Sequence, residues 1–111
     1  MSEERAGGLW SRAQGSGPGF VLLHPGGTDS RALDPLVAEL AGRYRVITPD
    51  QRAHGRTPDR EGPLSYAAMA EDTIAFLEQE SGAPVHLLGW SDGAVVALCT
   101  ALRRPDLVRD L

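Results

Sequence analysis

The amino-acid sequence predicts an α/β fold, a mainly parallel sheet with helices on both faces. Three short apolar runs bounded by turn residues, FVLLH at 20–24, YRVITPD at 44–50 and PVHLLGW at 84–90, are continuous rather than alternating in their apolarity. That is the pattern of parallel strands buried on both faces. Each run is followed by a segment with helical spacing, and such alternation builds a sheet through right-handed crossovers.

Residues 1–7 are expected to be a disordered N-terminus, and residues 8–14 to form one strand ahead of the three apolar runs. The stretch GSGPGF at 15–20 leads into a strand, whereas a phosphate loop needs a helix N-terminus after its glycines, so it reads as a hairpin turn. The first helix spans 35–42, with Asp34 as N-cap, Pro35 in the first position, a stripe of Leu36, Val37 and Leu40, and Gly42 at its end. The second spans 65–80, capped by Ser65; Ala67, Ala70, Ile74 and Leu77 form its inner face, and its other side is acidic and therefore solvated. The third runs from Asp92 to Arg104 before Pro105. It is apolar nearly all round, which predicts the most buried helix of the three.

A chain of 111 residues is one domain with room for a core. Hydrophobic residues at 41% and charged residues at 23% place it among globular proteins. Net charge is −4 and the 11 basic residues are scattered, which excludes the electrostatic footprint of a nucleic-acid or anionic-membrane binder. The N-terminus MSEERAGGLW lacks the basic start and apolar run of a signal peptide, and no stretch approaches the length of a membrane span, so a cytoplasmic location is expected. Cys99, the single cysteine, excludes an internal disulfide and sits in the apolar run AVVALCTAL, where it reads as core. Every basic residue is Arg, and neither Lys nor Asn occurs. Codons beginning AA are thus avoided, which suggests a GC-rich, bacterial gene.

The chemistry concentrates in Gly89-Trp90-Ser91-Asp92-Gly93, a G-x-S-x-G pattern between a strand and a helix. With 13 Gly in the chain, chance supplies roughly 0.09 such matches, so the context matters more than the bare pattern. A sharp strand-to-helix turn forces Ser91 into a strained backbone, and Gly89 and Gly93 are needed because side chains there would collide with neighbouring backbone. The helix beginning at Asp92 points N–H groups and a positive dipole end to where negative charge develops in acyl transfer. The plainer alternative is a glycine-rich turn with a capping serine. His24-Pro25-Gly26-Gly27 follows the strand FVLLH, and glycines there let backbone N–H groups approach a ligand closely; a simple turn out of the strand is again the plainer alternative. Trp90 is either a substrate wall or a packing residue.

Taken together and in this order, FVLLHPGGTDSR, VITPDQRAHGRT and HLLGWSDGAVVAL resemble the N-terminal half of the α/β-hydrolase superfamily, over about residues 8–111. The resemblance implies the α/β-hydrolase fold, Ser91 as nucleophile, and an oxyanion hole made by the N–H of Asp92 with that of Gly26 or Gly27. It implies a small-molecule acyl substrate, an ester, lactone or similar, with no cofactor and no metal. Similar proteins also include haloperoxidase-like and carbon–carbon bond hydrolases. The family's strand order places the strands ending at His24 and Trp90 side by side at a topological switch point, where ligands bind in open α/β sheets. Two positions depart from the family pattern: Ala53 stands for a glycine and Thr57 for a serine in DQRAHGRT.

In such proteins the triad acid and histidine follow the nucleophile at a distance. His24 belongs to the oxyanion loop, His54 to the loop after the second apolar run and His86 to a strand interior, while Asp50 and Asp92 occupy positions other than that of the triad acid. The expectation is therefore a serine hydrolase truncated before its acid and histidine, with a noncatalytic remnant or binding module of the same fold as the alternative. In a truncated chain PVHLLGW becomes an edge strand, which predicts self-association.

Overall fold

The parallel strands form where the apolar runs predict them. A computed structural model describes residues 2–59, 62, 64–80 and 84–111. Its elements are β1 (Ser2–Ala6), β2 (Leu9–Gln14), β3 (Gly19–Leu23), a 3₁₀ turn (Ser30–Leu33), α1 (Asp34–Leu40), β4 (Arg45–Pro49), α2 (Tyr66–Glu80), β5 (Val85–Gly89), α3 (Asp92–Arg103), a second 3₁₀ turn (Pro105–Leu107) and β6 (Val108–Asp110). One six-stranded sheet has the order β1-β2-β4-β3-β5-β6. Strands β4, β3, β5 and β6 are mutually parallel, while β2 runs antiparallel to β4 and to β1.

Strand β3 explains why unbroken apolarity was the useful signal. Val21 and Leu23 face one core with Phe76, Leu77, Val85, Val96 and Ala97. Leu22 turns to the opposite face, where Leu33, Val37 and Val46 pack. All three β3 side chains are fully buried. Helix α1 thus covers one face and α2 with α3 the other, and burying each leucine contributes about 1.5–3 kcal/mol.

Several expectations are corrected. The N-terminal residues expected to be disordered include β1, which pairs with β2 through the two-residue turn Gly7-Gly8, both at positive φ. Such a turn matches the twist of antiparallel strands. The segment 15–18 is not a hairpin turn, because β2 and β3 are not neighbours; β4 lies between them. Asp34 is not the cap of α1: the chain enters through the 3₁₀ turn, whose Arg31 N–H donates to the Asp29 side chain, and Asp34 pairs with Arg12 at 2.7 Å. Ser65 does cap α2, accepting from Ala68 N–H at 3.0 Å.

Helix α2 is rotated from its expected orientation. Met69, Ala70, Thr73, Phe76 and Leu77 are buried, Ala67 is exposed, and Asp72 on the supposedly solvated side is buried against Arg52. Helix α3 is less buried than its composition predicts: Val95, Leu98 and Leu102 are exposed, and Cys99 is half-buried rather than core. Only the face carrying Gly93, Val96, Ala97 and Thr100 meets the sheet and α2. Strand β5 is not a bare edge either, since β6 pairs with it at Val85 and His86, and the His86 ring bonds the Asp110 carboxylate at 2.7 Å. Among the described residues, no helix is long and apolar enough to cross a membrane.

Candidate active site

Strands β3 and β5 are paired through Leu23 and Gly89, and Trp90 N–H continues the pairing by donating to Leu23 O at 3.2 Å. The chain leaves β3 toward β4 on one side, and leaves β5 toward β6 on the other. The loops after these two strands therefore open a crevice at the carboxyl end of the sheet.

On the β5 side the chain turns abruptly into α3. Ser91 has φ 59 and ψ −118, a left-handed conformation that costs a non-glycine residue of order 1–3 kcal/mol. Both neighbouring glycines are sterically required. A Cβ on Gly89 would run into the Gly93 carbonyl, and one on Gly93 into the carbonyls of Leu23 and His24. Ser91 makes no side-chain cap to the helix, so it is not the capping serine of the plainer reading, and the residue is exposed. Trp90 beside it is 55% exposed.

On the β3 side, His24 is buried and fixes the start of the loop. Its Nδ1 donates to Pro25 O at 2.7 Å and its Nε2 accepts from Gln51 N–H at 3.0 Å. Burial pushes its pKa below the ordinary imidazole value, outweighing the hydrogen bond to Pro25. His54 repeats the arrangement next door: Nδ1 donates to Arg52 O at 2.8 Å and Nε2 accepts from Gly27 N–H at 3.3 Å. The two rings lie 5.1 Å apart. The Gly27 N–H is thus occupied. Those of Gly26 and Asp92 have no partner among the described residues, and the two residues touch: the Asp92 carboxylate occupies the space a Cβ on Gly26 would need.

The loop after β4 is the third wall, and it is organised from Asp50. This fully buried carboxylate accepts from Ser30 N–H and from Arg56 N–H, each at 2.9 Å, tying the loops after β3 and β4 together. Thr57 donates its hydroxyl to Asp50 O at 2.7 Å and accepts from Trp10 N–H at 2.9 Å, a pair of bonds that a serine hydroxyl also makes. Ala53 has φ 64, a conformation that suits the glycine it replaces in the family pattern.

Two features escaped the sequence reading. Tyr66, at the start of α2, donates its hydroxyl to Asp92 Oδ1 at 2.7 Å, and that bond raises the phenol's pKa above its ordinary value. The side chain of Asp92, beyond its backbone N–H, therefore faces the crevice. A hydroxyl outside every motif carries no local signal. Among the described residues no group of three or more His, Cys, Asp or Glu is placed to hold a metal ion.

Comparison with known proteins agrees with this fold. The profile of the alpha/beta hydrolase family matches residues 20–110. A pimeloyl-[acyl-carrier protein] methyl ester esterase of Aeromonas hydrophila is 37% identical over 99 residues, covering 87% of this chain and 37% of that protein. A 2-(acetamidomethylene)succinate hydrolase of Mesorhizobium japonicum is 31% identical over 100 residues, covering 90% of this chain and 36% of that protein. The crystal structure of an E-2-(acetamidomethylene)succinate hydrolase superposes with a TM-score of 0.86 at 30% identity, covering 97% of this chain and 42% of that one. The chain spans well under half the length of each of these relatives.

Proposed function

The chain belongs to the alpha/beta hydrolase family, and from that premise we propose that it supplies the nucleophile and oxyanion hole of a serine hydrolase acting on an ester, lactone or related acyl substrate. One observation carries the reading: a strained, exposed serine without a capping role stands beside two backbone N–H groups that have no partner among the described residues. In acyl transfer the Ser91 Oγ attacks the carbonyl carbon and its proton passes to a base. The carbonyl oxygen gains negative charge, the leaving group departs with a proton, and water then releases the acyl group from Ser91.

The N–H groups of Gly26 and Asp92 are the donors for that oxygen. Gly27 is set aside because its N–H already bonds His54. A donor of this kind is worth about 10²–10³ in kcat. None of the three histidines serves as the base: His24 and His54 each use both ring nitrogens in loop contacts, and His86 is paired with Asp110 on β5. The reading therefore calls for a base other than these three histidines.

Support for the substrate class comes from the relatives, an esterase among them, and is extended here to this chain as a proposal. The test is hydrolysis of a short aryl ester by the polypeptide that carries these residues, purified from its producing cell through an N-terminal tag. Ser91→Ala is expected to lower kcat by about 10³-fold or more. Undiminished hydrolysis in the variant refutes the reading. Failure of the unaltered protein to cleave any acyl ester favours a binding module.

A further inference from the structure

The side chain of Asp92 presents an unusual electrostatic problem. It follows the nucleophile directly, packs on the Cα of Gly26, and lines a cavity of about 370 Å³ together with Gly26, Gly27, His54, Tyr66 and Met69. Among the described residues it is the one carboxylate on that wall and it enters no ion pair. Tyr66 hydroxyl occupies Oδ1, and Oδ2 is the oxygen turned toward Gly26. A fixed negative charge is thus held beside the position where the reaction builds a second one, and like charges at close range oppose each other.

A cation brought by the substrate resolves the conflict. Resting on the serine-hydrolase reading above, we propose that the cavity selects acyl groups bearing an ammonium within two or three bonds of the carbonyl carbon, and that Asp92 is the residue that recognises it. The ammonium lies between the carboxylate and the developing oxyanion, pairs with the first and offsets the second. Tyr66 is a positioning residue: its hydrogen bond holds Oδ1, so that Oδ2 stays directed toward the oxyanion loop. Leu64 and Met69 give part of the remaining wall, which also carries Ser65, and their apolar surface suits a short hydrocarbon side chain beside the ammonium. A neutral acyl group finds no such compensation.

Two measurements on the tagged polypeptide from its producing cell separate this proposal from the serine reading. The first is calorimetric titration with alaninamide and with propionamide, near-isosteres that differ in the ammonium and need no catalysis. Alaninamide is expected to bind at least tenfold tighter, with Asp92→Asn abolishing the preference and Tyr66→Phe reducing it. Asparagine retains an oxygen to accept from Tyr66, which guards against simple misfolding. The second is the ratio of kcat/KM for the aryl esters of alanine and propionic acid, expected to favour alanine at least tenfold and to collapse toward one in Asp92→Asn. Equal binding of the two amides, or a preference that survives Asp92→Asn, overturns the proposal even if Ser91 proves to be the nucleophile. Selective alaninamide binding without Ser91-dependent hydrolysis upholds the cation site and removes the serine reading instead.

Discussion

His54 Nε2 accepts the Gly27 N–H at 3.3 Å, so the loop after β4 holds the loop after β3 in place beside the turn at Ser91. The bond has two consequences. It removes Gly27 from the set of free donors, and it couples the shape of the loop after β3 to a residue outside it. His54→Phe is expected to lower kcat toward an aryl ester up to about tenfold, the worth of one neutral hydrogen bond. His54→Gln, with an amide oxygen able to accept from Gly27, is expected to retain most of the rate. Equal losses in both variants would argue that the ring matters only as packing.

His24 makes stability depend on pH. Its folded pKa lies below the ordinary value because burial disfavours the charged ring, and Nε2 must be unprotonated to accept from Gln51 N–H. The unfolded chain then binds more protons than the folded one between the folded pKa and about 6.5. This contribution is fully present above that range and is lost as pH falls through it. Urea midpoints should fall between pH 7 and pH 5, and the fall should be smaller in His24→Gln. A midpoint equally pH-dependent in the variant would contradict the assignment.

Arg52 and Asp72 form a bidentate pair, both bonds 2.9 Å, with side-chain exposures of 9% and 2%. Removing one partner leaves the other charge buried, at a cost of about 3–5 kcal/mol. Arg52→Met should destabilise by that order in urea unfolding. Arg52→Met combined with Asp72→Leu should cost less than Arg52→Met alone, because the buried carboxylate is removed together with its guanidinium.

Ala53 at φ 64 stores strain that glycine does not. A left-handed alanine costs about 1–2 kcal/mol, and glycine returns about 0.4–1 kcal/mol of that through its freer unfolded state. Ala53→Gly should therefore stabilise the protein by some tenths to about 1 kcal/mol. Destabilisation would show that the Cβ makes a compensating contact.

The sequence discloses the central strands and their helices because both depend on local pattern. Leu22 and Leu23 had to be apolar whichever face they took, and Ser65 and Pro105 mark helix ends through backbone chemistry alone. The missed features depend on partners distant in the chain. SEERA is polar and reads as a tail until Gly7-Gly8 folds it back along β2. Asp72 appears solvated until Arg52, 20 residues earlier, is placed beside it. The apolar outer face of α3 shows the converse, since Leu98 and Leu102 satisfy a buried-helix pattern without a described partner covering them. At the site, the glycine spacing foretold the turn at Ser91, while the Tyr66–Asp92 bond and the engagement of the Gly27 N–H by His54 needed the assembled loops.

The central claim, that Ser91 is an acyl-transfer nucleophile, is tested most directly by covalent capture. The tagged polypeptide from its producing cell is incubated with a fluorophosphonate, digested, and the adduct located by mass spectrometry, because phosphonylation requires the same activated hydroxyl as acyl transfer. The account predicts one adduct on the peptide containing Trp90-Ser91-Asp92, absent in Ser91→Ala. An adduct on another residue, or ester hydrolysis by a protein whose Ser91 remains unlabelled at saturating reagent, would contradict it.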